Sequence, residues 1–122
     1  MSLKELLAEL QKEYLATFPA KVVLISDLWR KREMTELETE YHKMKGTGRT
    51  YGLPEVSQVG EALERLCEVA PDQLEKAVPL SLQVLTKIRA HRERGETLSV
   101  EIDPDFQAIV QLVMKADKAK AP

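Results

Sequence analysis

Four prolines divide this chain into stretches of helical length, and between them the apolar residues recur at helical spacing. Pro19, Pro54, Pro71 and Pro104 have no N–H to donate, so each suits the first turn of a helix and not its interior. Ahead of Pro19, Ser2 and Glu5 form a capping-box pattern, and Leu3, Leu6, Leu7, Leu10 and Tyr14 follow at helical spacing, which predicts a first helix. Beyond it, Val22, Val23, Leu24, Ile25, Leu28 and Trp29 spread around much of a second helix. This predicts cover on two sides, by the first helix and by a bundle, with Trp29 as a core anchor.

Thr35 with Glu38 repeats the capping box and opens a third helix, which Gly52 ends and Pro54 keeps from resuming. Val56, Val59, Gly60, Leu63, Leu66 and Cys67 mark the buried side of the next one. Pro71 and Asp72 open another, with Leu74, Val78, Ser81, Leu85 and Ile88 on one face as far as Gly95, and Pro79 within it is expected to kink or split it. Leu98, Val100 and Ile102 alternate with polar residues, a strand-like period with no partner strand, and predict an extended connector pinned to the bundle. Asp103 and Pro104 then start a last helix with Phe106, Ile109, Val110 and Val113 facing inward.

Short capped connections near residues 33, 53 and 71 favour antiparallel neighbours. The expected fold is all-α: an antiparallel up-and-down four-helix bundle over about residues 19–94, with extra N-terminal and C-terminal helices at about 2–17 and 104–117 and a frayed tail at 118–122. A length of 122 residues fits a single domain, 1–122. Lys and Arg number 18 against 20 Asp and Glu, a net charge of −2, so nothing global attracts nucleic acid or an anionic membrane. No apolar leader or spanning segment is evident, and Cys67, the one cysteine, has no partner for an internal disulfide. A cytoplasmic monomer is the expectation.

The unusual chemistry lies in residues 41–52. At about 100° per residue, Leu37, Tyr41, Met44, Gly48 and Tyr51 fall within roughly 80° of one another and define a buried stripe. Beside it Glu38, His42, Lys45, Gly46 and Arg49 share a second, solvent-facing stripe. A helix-interior glycine costs about 1 kcal/mol relative to alanine. On the buried stripe Gly48 lets another helix come close. Gly46, at i+4 from His42, instead leaves the imidazole open to a large partner. Lys45 at i+3 could neutralise a negative group carried on the ring.

His42-x-x-Lys45-Gly46 with Gly52 downstream, inside an amphipathic helix, resembles the histidine phosphotransfer (HPt) domain, including the phosphoacceptor domain of chemotaxis-type histidine kinases. Glu64, on the following helix, falls where the chemotaxis-type domains place a glutamate that hydrogen-bonds the acceptor imidazole. Glu61 stands where some of those domains carry a second histidine, so that partner's role is missing. The resemblance implies an HPt-like bundle and a phosphocarrier, not an enzyme with its own ATP-binding domain. It implies His42 as phosphoacceptor, Glu64 as its orienting partner, Lys45 as charge stabiliser, Gly46 as access and Arg49 as a secondary candidate. The implied partners are receiver-domain aspartates of response regulators or a histidine kinase. No cofactor of its own is implied, since Mg²⁺ would come from the receiver's acidic pocket.

The alternative is a helical interaction module that kept the bundle and lost phosphotransfer. A metal-binding bundle is disfavoured, because the two histidines fall on separate helices and His42 faces outward. His91 repeats the Arg94 and Gly95 offsets, but Gly95 reads as a helix stop and His91 as a last-turn cation. Cys67 reads as a buried structural thiol.

Overall fold

The computed structural model describes residues 1–120. It contains six α-helices: α1 (Leu3–Ala16), α2 (Phe18–Arg30), α3 (Met34–Thr50), α4 (Pro54–Val69), α5 (Leu74–Glu93) and α6 (Pro104–Lys120). Short 3-10 turns, Pro71–Gln73 and Val100–Ile102, precede α5 and α6, and no strand occurs among the described residues.

Helices α2 to α5 form the four-helix bundle. Each packs on the next, and α2 closes the ring against α5. The core is built from the inward stripes, with Ile25, Leu37, Tyr41, Val59, Leu63, Leu66, Val84 and Ile88 all essentially without exposure. Burying one such aliphatic side chain contributes about 1.5–3 kcal/mol. Two polar contacts pin the interior. Tyr41 shares a 2.7 Å hydrogen bond with Ser81, and burial pushes its phenol well above the ordinary range. Glu55, at the start of α4, accepts a bidentate pair from Arg92 near the end of α5, at 2.7 and 2.9 Å.

Side-chain caps start the two outer helices, while α2, α3, α4 and α5 have none. Ser2 Oγ accepts from the Glu5 amide at 3.1 Å and Asp103 Oδ2 from that of Phe106 at 3.0 Å, each satisfying an amide that the first helical turn leaves free. Gly52 takes φ +71° between α3 and α4, where glycine carries no steric penalty. Between α2 and α3 that duty falls to Arg32, at φ 58°. Its guanidinium lies 3.8 Å from the Trp29 ring centroid, and the Glu33 amide returns to Leu28 O at 2.9 Å.

Several expectations are corrected. Glu33 and not Thr35 precedes α3, because the left-handed Arg32 turns the chain into the helix earlier than a Thr35 cap would. Trp29 packs against the core but is only half-buried, with Arg32 over its ring. α1 covers α2 near its start, where Tyr14 packs edge-on against Phe18, but leaves Val23 and Leu24 exposed. The reason is the seat of α1, whose C-terminal end meets the last turns of α3: Tyr14 hydrogen-bonds Thr47 at 2.8 Å and stacks on half-buried Tyr51, and Gln11 donates to Tyr51 O at 2.6 Å. Leu3, Leu6, Leu7 and Leu10 consequently remain exposed.

α5 continues through Pro79 as one helix, with Ala77, Val78 and Ser81 buried on either side of it, so packing holds the segment together despite the missing hydrogen bond. Leu98 and Val100 are buried as expected, but the 3-10 turn rotates Ile102 into solvent. α6 lies against α4 and α5. It is helical through Lys120, so the tail expected to fray is helical as far as it is described; residues 121 and 122 lie outside the described part.

Candidate functional site

α3 and α4 meet backbone to backbone, and the site sits on that seam. A Cβ on Gly60 of α4 would stand 2.6 Å from both the Lys45 amide nitrogen and Tyr41 O, and one on Gly48 of α3 would stand 2.6 Å from the Ser57 amide nitrogen and hydroxyl. Neither space admits a side chain. Ser57 Oγ donates to Lys45 O at 2.6 Å, tying the helices together one turn beyond His42.

This close approach brings Glu64 of α4 within reach of α3. Its Oε2 lies 2.5 Å from His42 Nδ1, and its Oε1 lies 3.8 Å from Lys45 Nζ. The carboxylate side chain is only 14% exposed, whereas the imidazole is 70% exposed. One edge of the ring is therefore held and the rest is open. In a neutral imidazole facing an ionised carboxylate, which can only accept, this contact holds the ring proton on Nδ1 and leaves the Nε2 lone pair free.

Gly46 has nothing within 4 Å of where a Cβ would be. The space above that turn of α3 is open, as the sequence pattern predicts. Arg49 lies on the same side and faces Glu61 of α4 across 3.8 Å, both side chains well exposed. Thus His42, Lys45, Gly46, Glu64 and Arg49 come together on one surface formed by two adjacent helices. Lys43, exposed, reaches Glu40 on its own helix at 3.5 Å.

His91 stands elsewhere. Its Nδ1 donates to Lys87 O at 2.9 Å, and Gly95 closes α5 with φ +74°. Cys67 is half-buried, and its thiol is pushed up to about 12, by burial first and then by the carboxylates of Glu38, Glu64 and Glu68. At neutral pH it is no nucleophile.

Two residues of this seam carry more than their sequence context suggested. Gly60 was legible only as one position of a buried stripe, and Ser57 did not stand out. The available signal was a glycine among large aliphatics with a serine one turn earlier, both facing the helix that carries two glycines of its own.

Among the described residues no group of three or more His, Cys, Asp or Glu side chains could hold a metal ion. A crevice of 610 Å³ between α1 and α5 is lined by Gln11, Lys12, Leu15 and Arg92 and includes none of the site residues. Nor is any described helix long and apolar enough to cross a membrane.

The described residues thus form a helical bundle that presents a solvent-open imidazole, His42, steadied by a carboxylate from the neighbouring helix. The family model described as Hpt domain matches residues 2–97, and the chain belongs to that family. Hpt domains are phosphocarriers of phosphorelays that exchange phosphoryl groups with receiver domains and kinases. The comparisons with curated proteins and with solved structures produced no match.

Proposed function

We propose that His42 is the phosphoacceptor of a two-component phosphorelay, exchanging a phosphoryl group with the aspartate of a receiver domain or accepting one from a sensor kinase. The observation that supports this reading is the 2.5 Å contact of His42 Nδ1 with Glu64 Oε2 on a side chain that is 70% exposed; with Nδ1–H donating to Glu64, Nε2 carries the free lone pair. In the forward step the Nε2 lone pair attacks phosphorus in line. The bond from phosphorus to the aspartyl oxygen breaks, its electron pair returns to the carboxylate, and a P–N bond forms. The ring keeps its Nδ1 proton and gains positive charge, which the Glu64 carboxylate stabilises. In the reverse step a carboxylate oxygen attacks phosphorus and the ring leaves neutral.

Lys45 is placed to follow the negative charge. Its Nζ lies 3.8 Å from Glu64 Oε1 and its side chain is about one-third exposed, so the ammonium can swing from the carboxylate to a phosphoryl oxygen within its own rotamer range. Gly46 leaves the approach path clear, and Arg49 is a secondary source of positive charge. Phosphoryl transfer needs chiefly positioning and charge neutralisation. The Mg²⁺ that assists it is expected to arrive with the receiver's acidic pocket. A monomeric state and a cytoplasmic location belong to the same proposal.

The test is incubation with a phosphorylated receiver domain. An acid-labile, base-stable phosphate is expected on the wild type and none on His42→Gln, with equal helix content by circular dichroism. Labelling of His91 in place of His42, or no label on any histidine, overturns the assignment and favours the phosphotransfer-inactive interaction module.

A further inference from the structure

α6 lies beyond residues 97, outside the part of the chain that the family model matches, and it builds a surface next to the His42 face. Its inner positions Phe106 and Ile109 are buried against α4 and α5. Its apolar stripe is wider than that contact. Val110 and Val113 stay half-buried, and Met114 is 58% exposed. With Ala62, Glu61 and Arg65 of α4, the two valines line an open groove of 480 Å³.

The groove is continuous with the His42 face. Arg65 donates to Asp117 Oδ1 through Nε at 3.1 Å and Nη2 at 2.9 Å, which fastens α6 to α4. Glu61 belongs to both surfaces: it lines the groove and also faces Arg49 of α3 at 3.8 Å. Glu64, which holds His42, follows Glu61 by three residues and so lies beside it on α4. One exposed strip of α4 therefore separates the imidazole from the apolar lip of α6. Both partners of the long Glu61–Arg49 pair are more than half exposed, so a docking protein can exchange it for contacts of its own at little cost.

We infer that the α4–α6 groove is an auxiliary docking surface for the receiver domain that exchanges phosphate with His42, seating an apolar helix face of that receiver, and that α6 thereby selects among receivers. The inference rests on the phosphocarrier reading. A receiver that approaches His42 across the Glu61–Arg65 strip next meets Val110 and Val113 in the groove, with exposed Met114 on the same helix. Ala62, Phe106, Val110 and Val113 form the groove's apolar floor and Gln58, Glu61, Arg65 and Asp117 its polar rim, an arrangement that suits an amphipathic helix. Met114 adds a side chain that adapts to different partners.

The experiment uses the full chain and the receiver domains encoded in the same genome, each charged with acetyl phosphate. Transfer to wild type, Met114→Glu and Val110→Glu is followed with receiver concentration, alongside labelling of His42 by phosphoramidate, which needs no protein partner. Met114 faces solvent, so its variant is expected to melt like the wild type. For the preferred receiver KM is expected to rise about tenfold or more, the size of one interface anchor's loss, with phosphoramidate labelling unchanged. Wild-type transfer with the same KM in both variants overturns the docking inference alone. Should the variants change only the sedimentation of the free chain, a second copy occupies the groove and the inference is again overturned. Failure of every receiver to phosphorylate the wild type overturns the phosphocarrier reading and this inference with it.

Discussion

Gly60 of α4 rests against Lys45 of α3 so closely that a methyl group there would stand 2.6 Å from the Lys45 amide nitrogen. Backbone cannot yield as a flexible side chain can, so Gly60→Ala must push the two helices apart. Overpacking of this kind costs on the order of 1–3 kcal/mol, read from denaturant melts. The same displacement draws Glu64 away from His42, so the variant is expected to lose the shifted Nδ1 signal of the bonded tautomer in ¹⁵N spectra. Wild-type stability and an unchanged ring signal would show the seam to be looser than the geometry says.

The two glycines of α3 are expected to answer substitution in opposite ways. Gly46→Gln meets open space, so the variant gains up to about 1 kcal/mol of stability from helix propensity. Its phosphotransfer is expected to collapse, because the new side chain stands over the face a partner must approach. Gly48→Leu meets Ser57 and Leu53 and is expected to lose folded protein first and transfer only as a consequence. Melts and transfer rates on the pair separate access from packing.

Glu64→Ala is expected to slow transfer without abolishing it, since the carboxylate orients the ring and stabilises its charge but forms no bond to phosphorus. Glu64→Gln separates these two contributions. The amide oxygen can still accept from Nδ1 but carries no negative charge, so an intermediate rate is expected. A Glu64→Ala rate equal to that of the wild type would remove Glu64 from the site.

Cys67 bears on pH and reactivity. Its thiol is pushed up to about 12 from an ordinary 9.0, so between those values the unfolded chain ionises more readily than the folded one. The stability that burial of the neutral thiol supports is full below pH 9 and is lost progressively as pH rises towards 12. Alkylation by iodoacetamide at pH 8 is expected to be much slower on the folded chain than on the chain in denaturant. Equal rates would contradict the burial described for the thiol.

Arg32 allows a test of backbone against side chain. A left-handed residue costs roughly 1–2 kcal/mol, which glycine would recover, but Arg32→Gly also gives up a stacking contact over Trp29 worth about 0.5–1 kcal/mol and the Nη1 bond to Trp29 O. The expected net change is small, within about 1 kcal/mol of the wild type. Arg32→Val combines a β-branched residue with the loss of the stack and is expected to destabilise by more than the glycine variant.

The sequence showed the faces of single helices well and the meetings between helices poorly. Periodicity alone placed His42 and Gly46 on an open face and Gly48 on a closed one, because a helix repeats every 3.6 residues whatever surrounds it. It could not show that Gly60 and Gly48 bring two backbones together, since interhelical distance depends on both surfaces at once. The reach of Glu64 to His42 depends on that distance, and only the family resemblance anticipated it. The extent of cover over α2 was hidden for a related reason: its apolar residues asked for two covers, but where α1 crosses is decided by Tyr14 of α1, Thr47 of α3 and Tyr51 just beyond it. The Thr35 capping box lost to a left-handed arginine, a conformation that residue type does not announce.

Ser57, Gly60 and Glu64 all belong to α4, and His42, Lys45 and Gly48 all belong to α3, with only the Gly52 turn between the two helices. The imidazole–carboxylate pair is thus the property of one helical hairpin whose contacts are short in sequence, the kind that closes early because little chain entropy is lost in bringing its ends together. The amides along this seam, shielded by the opposing backbone, are expected to be among the slowest of the chain to exchange with solvent deuterium. α6, seated on α4 and α5, contributes none of these residues, so its surface can change while the seam that holds Glu64 to His42 is kept.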